Sequence, residues 1–364
     1  MSFHSGVSMR RTCLAVVGVL ISSSALAQRG GGTPPPASFT ATSIPGVVAA
    51  GTKIELVETG LQRTEGPVAM QDGSMLVSSA NSILKVDSSD HVSAFVENSN
   101  QTNAMGWDLQ GRLISVQRAR GNEKVGVLYP ADKVTTLADM YQGKPFDSLN
   151  DLALDKRGGV YFTDTQGIYY LPPGGSVTRI IDEVPRPNGL ILSPDERTLY
   201  VHNKDGVYML AFDVAPDGTV SNRRNFARYK SVRIPGHNDP SWDEDNGADG
   251  MAVDSEGRVY AATNSGVEVL SPGGELLGVM PVQWGAENGN IRKPQNLAFG
   301  GVGSKDPLHR GRRYDLQGAD ALAGPDASHQ VGIRGSRALS SPLDVAAWAC
   351  RICPRQSRRS AART

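Results

Sequence analysis

One phrase recurs between residues 60 and 304: a short apolar run, an Asp/Gly turn, an aromatic or β-branched strand, then a second turn and strand. Such a repeat constrains the fold strongly, because each copy is one supersecondary unit that must stack on its neighbours to bury its faces. The clearest copies are LALDKRGGVYFTDTQGIYYLPPGG (152–175), LILSPDERTLYVHNKDGVYMLAFD (190–213) and MAVDSEGRVYAATNSGVEVLSPGG (251–274). VAMQDGSMLVSSANSILKVD (68–87) and WDLQGRLISVQRARGNEKVGVLYP (107–130) follow the same plan, and LAFGG (297–301) opens a sixth. Their Asp-Gly, Glu-Gly and Gly-Gly pairs are hairpin turns, and GVYFTD and RTLYVH alternate with the period of strands. Copies start roughly 40–60 residues apart, the length of a four-stranded propeller blade. The expected fold is all-β, a six-bladed β-propeller, with KIELVETGL (53–61) returning to complete the last blade.

Lys+Arg and Asp+Glu are both 37, so a neutral chain has no electrostatic reason to bind nucleic acid or an anionic membrane. Arg10-Arg11, the apolar run to Ile21 and Ala25-Leu26-Ala27 have the layout of a signal peptide over residues 1–27, with cleavage after Ala27. Export to the periplasm or medium follows, with no membrane anchor after cleavage. Residues 28–46, QRGGGTPPPASFTATSIPG, are expected to be a flexible tether. Residues 47–304 contain no cysteine, which leaves the propeller without a disulfide framework.

Each copy is preceded by a polar residue beside a turn-former: Glu65-Gly66-Pro67, Asn150-Asp151, Pro187-Asn188-Gly189, Asp249-Gly250 and Asn296. In a propeller these positions start the innermost strands and converge on the central channel. Any one alone is as well explained as an Asx-turn or hairpin residue. Held in register by a repeat, they form an oxygen-only pocket suited to a hard divalent cation.

EGPV (65–68), SLNDLALDKRGGVYFTD (148–164), RPNGLILSPDERTLYV (186–201), DGMAVDSEGRVYAA (249–262) and QNLAFGG (295–301) resemble the SMP-30/gluconolactonase family over roughly residues 50–304. The resemblance implies a propeller holding one divalent metal near its axis, with Glu65, Asn188 and Asp249 as ligands. Asn150 falls on a residue that contacts metal or substrate, although Leu149 replaces the usual proline before it. The implied chemistry is hydrolysis of a sugar lactone: Asp249 assists the attacking water, Asn150 positions the substrate and Asp151 helps. Ca²⁺ is the first expectation for the cation, with Mg²⁺, Mn²⁺ or Zn²⁺ as alternatives. Arg118, Arg120 and Lys144 are candidates to meet sugar hydroxyls or a carboxylate, Arg120 being assigned to the substrate. The acidic stretch 235–248, with His237 and Trp242, is either a lid or a long loop between blades.

After Lys305 the repeat stops, giving way to an Arg-rich tail with a Cys350-Arg-Ile-Cys353 motif. Back-translating KDPLHRGRRYDLQGADAL (305–322) and removing one base after the lysine codon can give KTLYIAGGVTTYKVRTL, the alternating phrase a sixth blade requires. A frameshift near Lys305–Asp306 is therefore expected, with residues 305–364 outside the fold and the sixth blade incomplete. Two further readings compete with a lactonase: a non-catalytic ligand- or protein-binding propeller, and a hydrolase of another ester class.

Overall fold

A computed structural model describes residues 38–58, 61, 63–184, 186–230, 246–287, 290–300 and 349–353, with backbone alone for 284–292 and 349–353. The protein is an all-β propeller, and five four-stranded antiparallel blades lie among the described residues. In the first, Val68–Ala69, Met75–Ser79, Ser82–Val86 and Val92–Val96 pair in chain order. The second to fifth blades repeat that meander, with inner strands Thr102–Trp107, Leu152–Leu154, Pro187–Leu192 and Met251–Val253. Each inner strand lies beside the next around the ring.

Aspartates fix the turn between the first two strands. Asp155 Oδ1 accepts the backbone N–H groups of Arg157 and Gly159, and Asp108 and Asp254 do the same for Gln110 and Arg112 and for Glu256 and Arg258. Each carboxylate satisfies two backbone donors that the hairpin leaves unpaired, which is why Asp opens these turns.

The alternation read from VYFTD has a different physical basis from a half-exposed sheet, because Val160–Asp164 is buried at every position. Both faces of a blade are covered by neighbouring blades. Val160 and Phe162 pack with Ile114, Val116 and Val127 of the second blade, whereas Tyr161 packs with Leu190, Leu199 and Leu210 of the fourth. Period two here decides which neighbour a side chain meets.

The tether expected over 28–46 is folded in its second half. Ser38–Thr40 pairs with Lys53–Glu55, and Ile44 is fully buried with Ile54 against Ala252, Tyr260 and Val267 of the fifth blade. Phe39 and Ile44 are apolar anchors whose spacing carries no strand or helix period, so the Gly/Pro/Ser/Thr background concealed them. Lys53–Glu58 lies between blades, with Ile54 packed toward the fifth and Val57 toward Ala69, Met75 and Val77 of the first. The tail also departs from expectation at one point, since Ala349–Cys353 pairs antiparallel with Lys53–Glu58. The signal segment and most of 305–364 lie outside the described residues.

Candidate active site

Six polar residues share one register. Glu65, Asn103, Asn150, Asn188 and Asp249 each stand five residues before the residue that opens the blade's first turn: Met70, Asp108, Asp155, Ser193 and Asp254. Gln295 stands the same distance before Gly300. Asn296 is therefore one place beyond the register: its Oδ1 accepts the N–H of Leu297, as Asp151 Oδ1 accepts that of Leu152, both at 2.8 Å.

Neighbouring members are tied to one another. Asn103 Nδ2 donates to Asn150 O at 2.8 Å, and Thr163 Oγ1 of the third blade donates to Asn188 O at 2.9 Å. The Gly189 N–H donates to Asp249 O at 3.0 Å, and the Gly250 N–H to Gln295 O at 2.6 Å. Beyond Gln295, Leu297 and Phe299 pack on the fifth blade while Ala298 and Gly300 meet the first, at Met75. The glycines have a use besides turn formation. A Cβ on Gly189 would stand 2.1 Å from Asp249 O, and one on Gly250 2.1 Å from Asn296, so only glycine lets adjacent blades approach at the axis.

The site is buried and dense in charge. Glu65, Asp151 and Asp249 are all buried, as is Lys293, whose Nζ lies 3.6 Å from Asp249 Oδ2. Burial, then the charges of Asp249 and Asp151, push the Glu65 carboxyl well above the ordinary range, against the opposing effect of Lys293 and Arg118. Burial also raises Asp151 to about 7, with the Asp249 charge adding to it against the N–H groups of Leu152 and Leu190. His202 is fully buried, with Nδ1 2.6 Å from Asp249 O, and burial lowers it to about 3. A carbonyl can only accept, so Nδ1 carries the proton of a neutral ring and His202 fixes the backbone of Asp249.

Asn188 Nδ2 donates to Ala248 O at 3.3 Å, while its Oδ1 is buried without a hydrogen-bond partner among the described residues. An orphaned carbonyl oxygen on the register that also carries the Glu65 and Asp249 carboxylates fits a hard cation. Among the described residues no three His, Cys, Asp or Glu side chains gather as a metal cage, so amide oxygens must complete any such set.

Arg118 Nη1 donates to Asn103 Oδ1 at 2.8 Å, whereas Arg120 is exposed on the surface. Arg118, and not Arg120, is therefore the arginine that reaches the inner-strand register. Lys144 is exposed on a short hairpin, and His237 and Trp242 lie outside the described residues. Near the end of the acidic stretch, Asn246 donates to Asn203 O and accepts the Ala248 N–H, bracing the approach to Asp249. Asn103, His202, Lys293 and Gln295 were not singled out from sequence. Counting five residues back from each turn residue would have found Asn103 and Gln295, whereas the two buried bases carry no periodic signal.

The sequence matches the SMP-30/Gluconolactonase/LRE-like region over residues 63–306. A gluconolactonase of Zymomonas mobilis is 30% identical over 295 residues, covering 69% of this chain and 77% of that relative. A lactonohydrolase of Aspergillus oryzae is 27% identical over 224 residues, covering 48% of each chain. A solved gluconolactonase from Xanthomonas campestris shares the fold, with a TM-score of 0.57 at 24% identity, covering 74% of this chain and 96% of that one. The family match runs through all six register positions from Glu65 to Gln295, and the chain belongs to the SMP-30/gluconolactonase/LRE-like family.

Proposed function

We propose that this protein hydrolyses a sugar lactone with one divalent cation held by Glu65, Asn188 and Asp249, and Asn150 as a fourth contact. The observation that carries the reading is the buried Oδ1 of Asn188, without a partner among the described residues, on the register it shares with Asp249 and Glu65. An all-oxygen set favours Ca²⁺, with Mg²⁺, Mn²⁺ and Zn²⁺ as alternatives. The names of the Zymomonas and Aspergillus relatives support the reaction class.

The chemistry a bound cation would supply is polarisation of the lactone carbonyl and stabilisation of the developing oxyanion. Asp249 accepts a proton from the attacking water as the new C–O bond forms. The ring C–O bond then breaks, and its oxygen leaves protonated as the hydroxyl of a hydroxy acid. Asn150, braced by Asn103, orients the substrate, and Arg118 takes the role first given to Arg120. Asp151, one residue on and acted on by the charge of Asp249, is the helper in this reading.

The ring belongs to this reading as six-bladed, with the sixth blade begun by Gln295–Gly300 and flanked by residues 38–58. The family match ends at residue 306, which supports a frameshift near Lys305–Asp306. Export with cleavage after Ala27 is part of the same proposal. Proton release from D-glucono-1,5-lactone is the test, after EDTA treatment and re-addition of each cation. Cation-dependent hydrolysis is expected. Activity indifferent to EDTA sinks the cation, and no hydrolysis under any condition leaves a binding propeller instead.

A further inference from the structure

We infer that the lactone taken by this site carries a carboxylate arm, received by the Arg118 guanidinium; this rests on the lactonase reading above. Arg118 is half-buried at the end of Leu113–Gln117, the strand next to the one that bears Asn103. Its Nη1 is committed to Asn103 Oδ1, and Asn103 is itself clamped, because its Nδ2 donates to Asn150 O. A guanidinium oriented through two fixed amides is pre-organised, with a planar fork whose remaining N–H groups match a carboxylate in a paired contact.

Other arginines of the blades are used differently. Arg112 and Arg258 are each ion-paired through Nε to the turn aspartate of their own blade, Asp108 and Asp254. Arg118 forms no ion pair with any carboxylate among the described residues. Its charge nevertheless reaches the site, where it acts on the buried Glu65 together with Lys293.

A purely structural Arg118 would balance Glu65 and be indifferent to the substrate's charge.

The test compares D-glucono-1,5-lactone, which is neutral, with D-glucaro-1,4-lactone, which bears one carboxylate. Full-length protein, R118Q and R118K are assayed with Mg²⁺ by proton release, and thermal shift by D-glucarate is read in parallel. The parent should prefer the acidic lactone at least tenfold in kcat/KM. In R118Q that preference should fall at least tenfold, chiefly through KM, and the glucarate-induced shift should disappear. R118K, which keeps the charge but not the fork, should retain part of both. Equal handling of the two lactones by the parent overturns the inference, as does an equal loss on both in R118Q. If R118Q does not fold, the parent's preference and R118K still decide. Failure of the parent to open either lactone overturns the lactonase reading itself, and this inference with it.

Discussion

Lys293 Nζ lies 3.6 Å from Asp249 Oδ2, and both side chains are almost wholly buried. The ammonium is the nearest compensation for a carboxylate that also feels Glu65 and Asp151. Removing one partner of a buried pair leaves the other charge unpaired, which costs about 3 kcal/mol or more. Lys293→Met is therefore expected to lower the melting temperature clearly in EDTA. A divalent cation should restore more of that loss in the variant than it adds to the parent, because it compensates the same carboxylates. Melting in EDTA within a degree of the parent would show that Lys293 does not serve Asp249.

Asp249→Asn keeps the shape of the side chain and removes its ability to accept a proton. Proton release should fall by about a thousandfold, roughly 4 kcal/mol of barrier, while the far-UV spectrum stays that of the parent. A rate within about tenfold of the parent, roughly 1.4 kcal/mol, would take Asp249 out of the mechanism.

Asn188 offers a cleaner separation of binding from folding. Its Oδ1 is orphaned in the described structure, and an unmet buried acceptor costs about 1–3 kcal/mol. Asn188→Leu removes that atom along with the longer Nδ2 bond to Ala248 O. Calorimetric titration should show cation affinity weakened at least tenfold, with little change in melting temperature in EDTA. Unchanged cation affinity would mean that Asn188 is a core amide and no ligand.

The blades were legible because their signals are local. Asp155 and its counterparts announce hairpins through their own backbone contacts, and Glu65, Asn188 and Asp249 stand out beside the glycines that follow them. Asn103 was hidden because Ala104 follows it, with no turn-former to mark the register. Lys293 was hidden for a different reason: a buried charge is defined by what surrounds it, and Asp249 is remote in sequence. Residues 38–46 were misread because their order comes from a distant blade, through Ile44 against Val267 and Met280, not from any pattern of their own.

Asp155, the turn aspartate of the third blade, makes a pH-dependent contribution. Asp155 is buried, which raises its carboxyl, but hydrogen bonds from Arg157, Gly159 and Tyr170 outweigh burial and hold it below the ordinary range. Its contribution is thus fully present above the unfolded value of about 3.9 and is lost as pH falls through the lower folded value. Asp155→Asn should cost about 1–3 kcal/mol at pH 7 by urea unfolding, and the gap to the parent should narrow as pH falls below about 4. A gap that stays constant down to pH 3 would remove the carboxylate charge from the explanation.

Gly189 tests whether close approach at the axis is what holds the site together. Its N–H donates to Asp249 O at 3.0 Å, and a methyl group on its Cα would sit 2.1 Å from that same oxygen. The neighbour is backbone, held in turn by His202 Nδ1, so it cannot turn aside as a flexible side chain would. Gly189→Ala should therefore push the fourth and fifth blades apart at their inner strands, costing about 3 kcal/mol or more, the upper range for overpacking, and displacing Asp249. Gly273→Ala is the matched control, since its Cβ would meet nothing closer than 3.7 Å. The control should melt with the parent and keep its cation affinity, whereas Gly189→Ala loses both. Equal behaviour of the two variants would show that the inner strands tolerate separation and that the register residues do not depend on this contact.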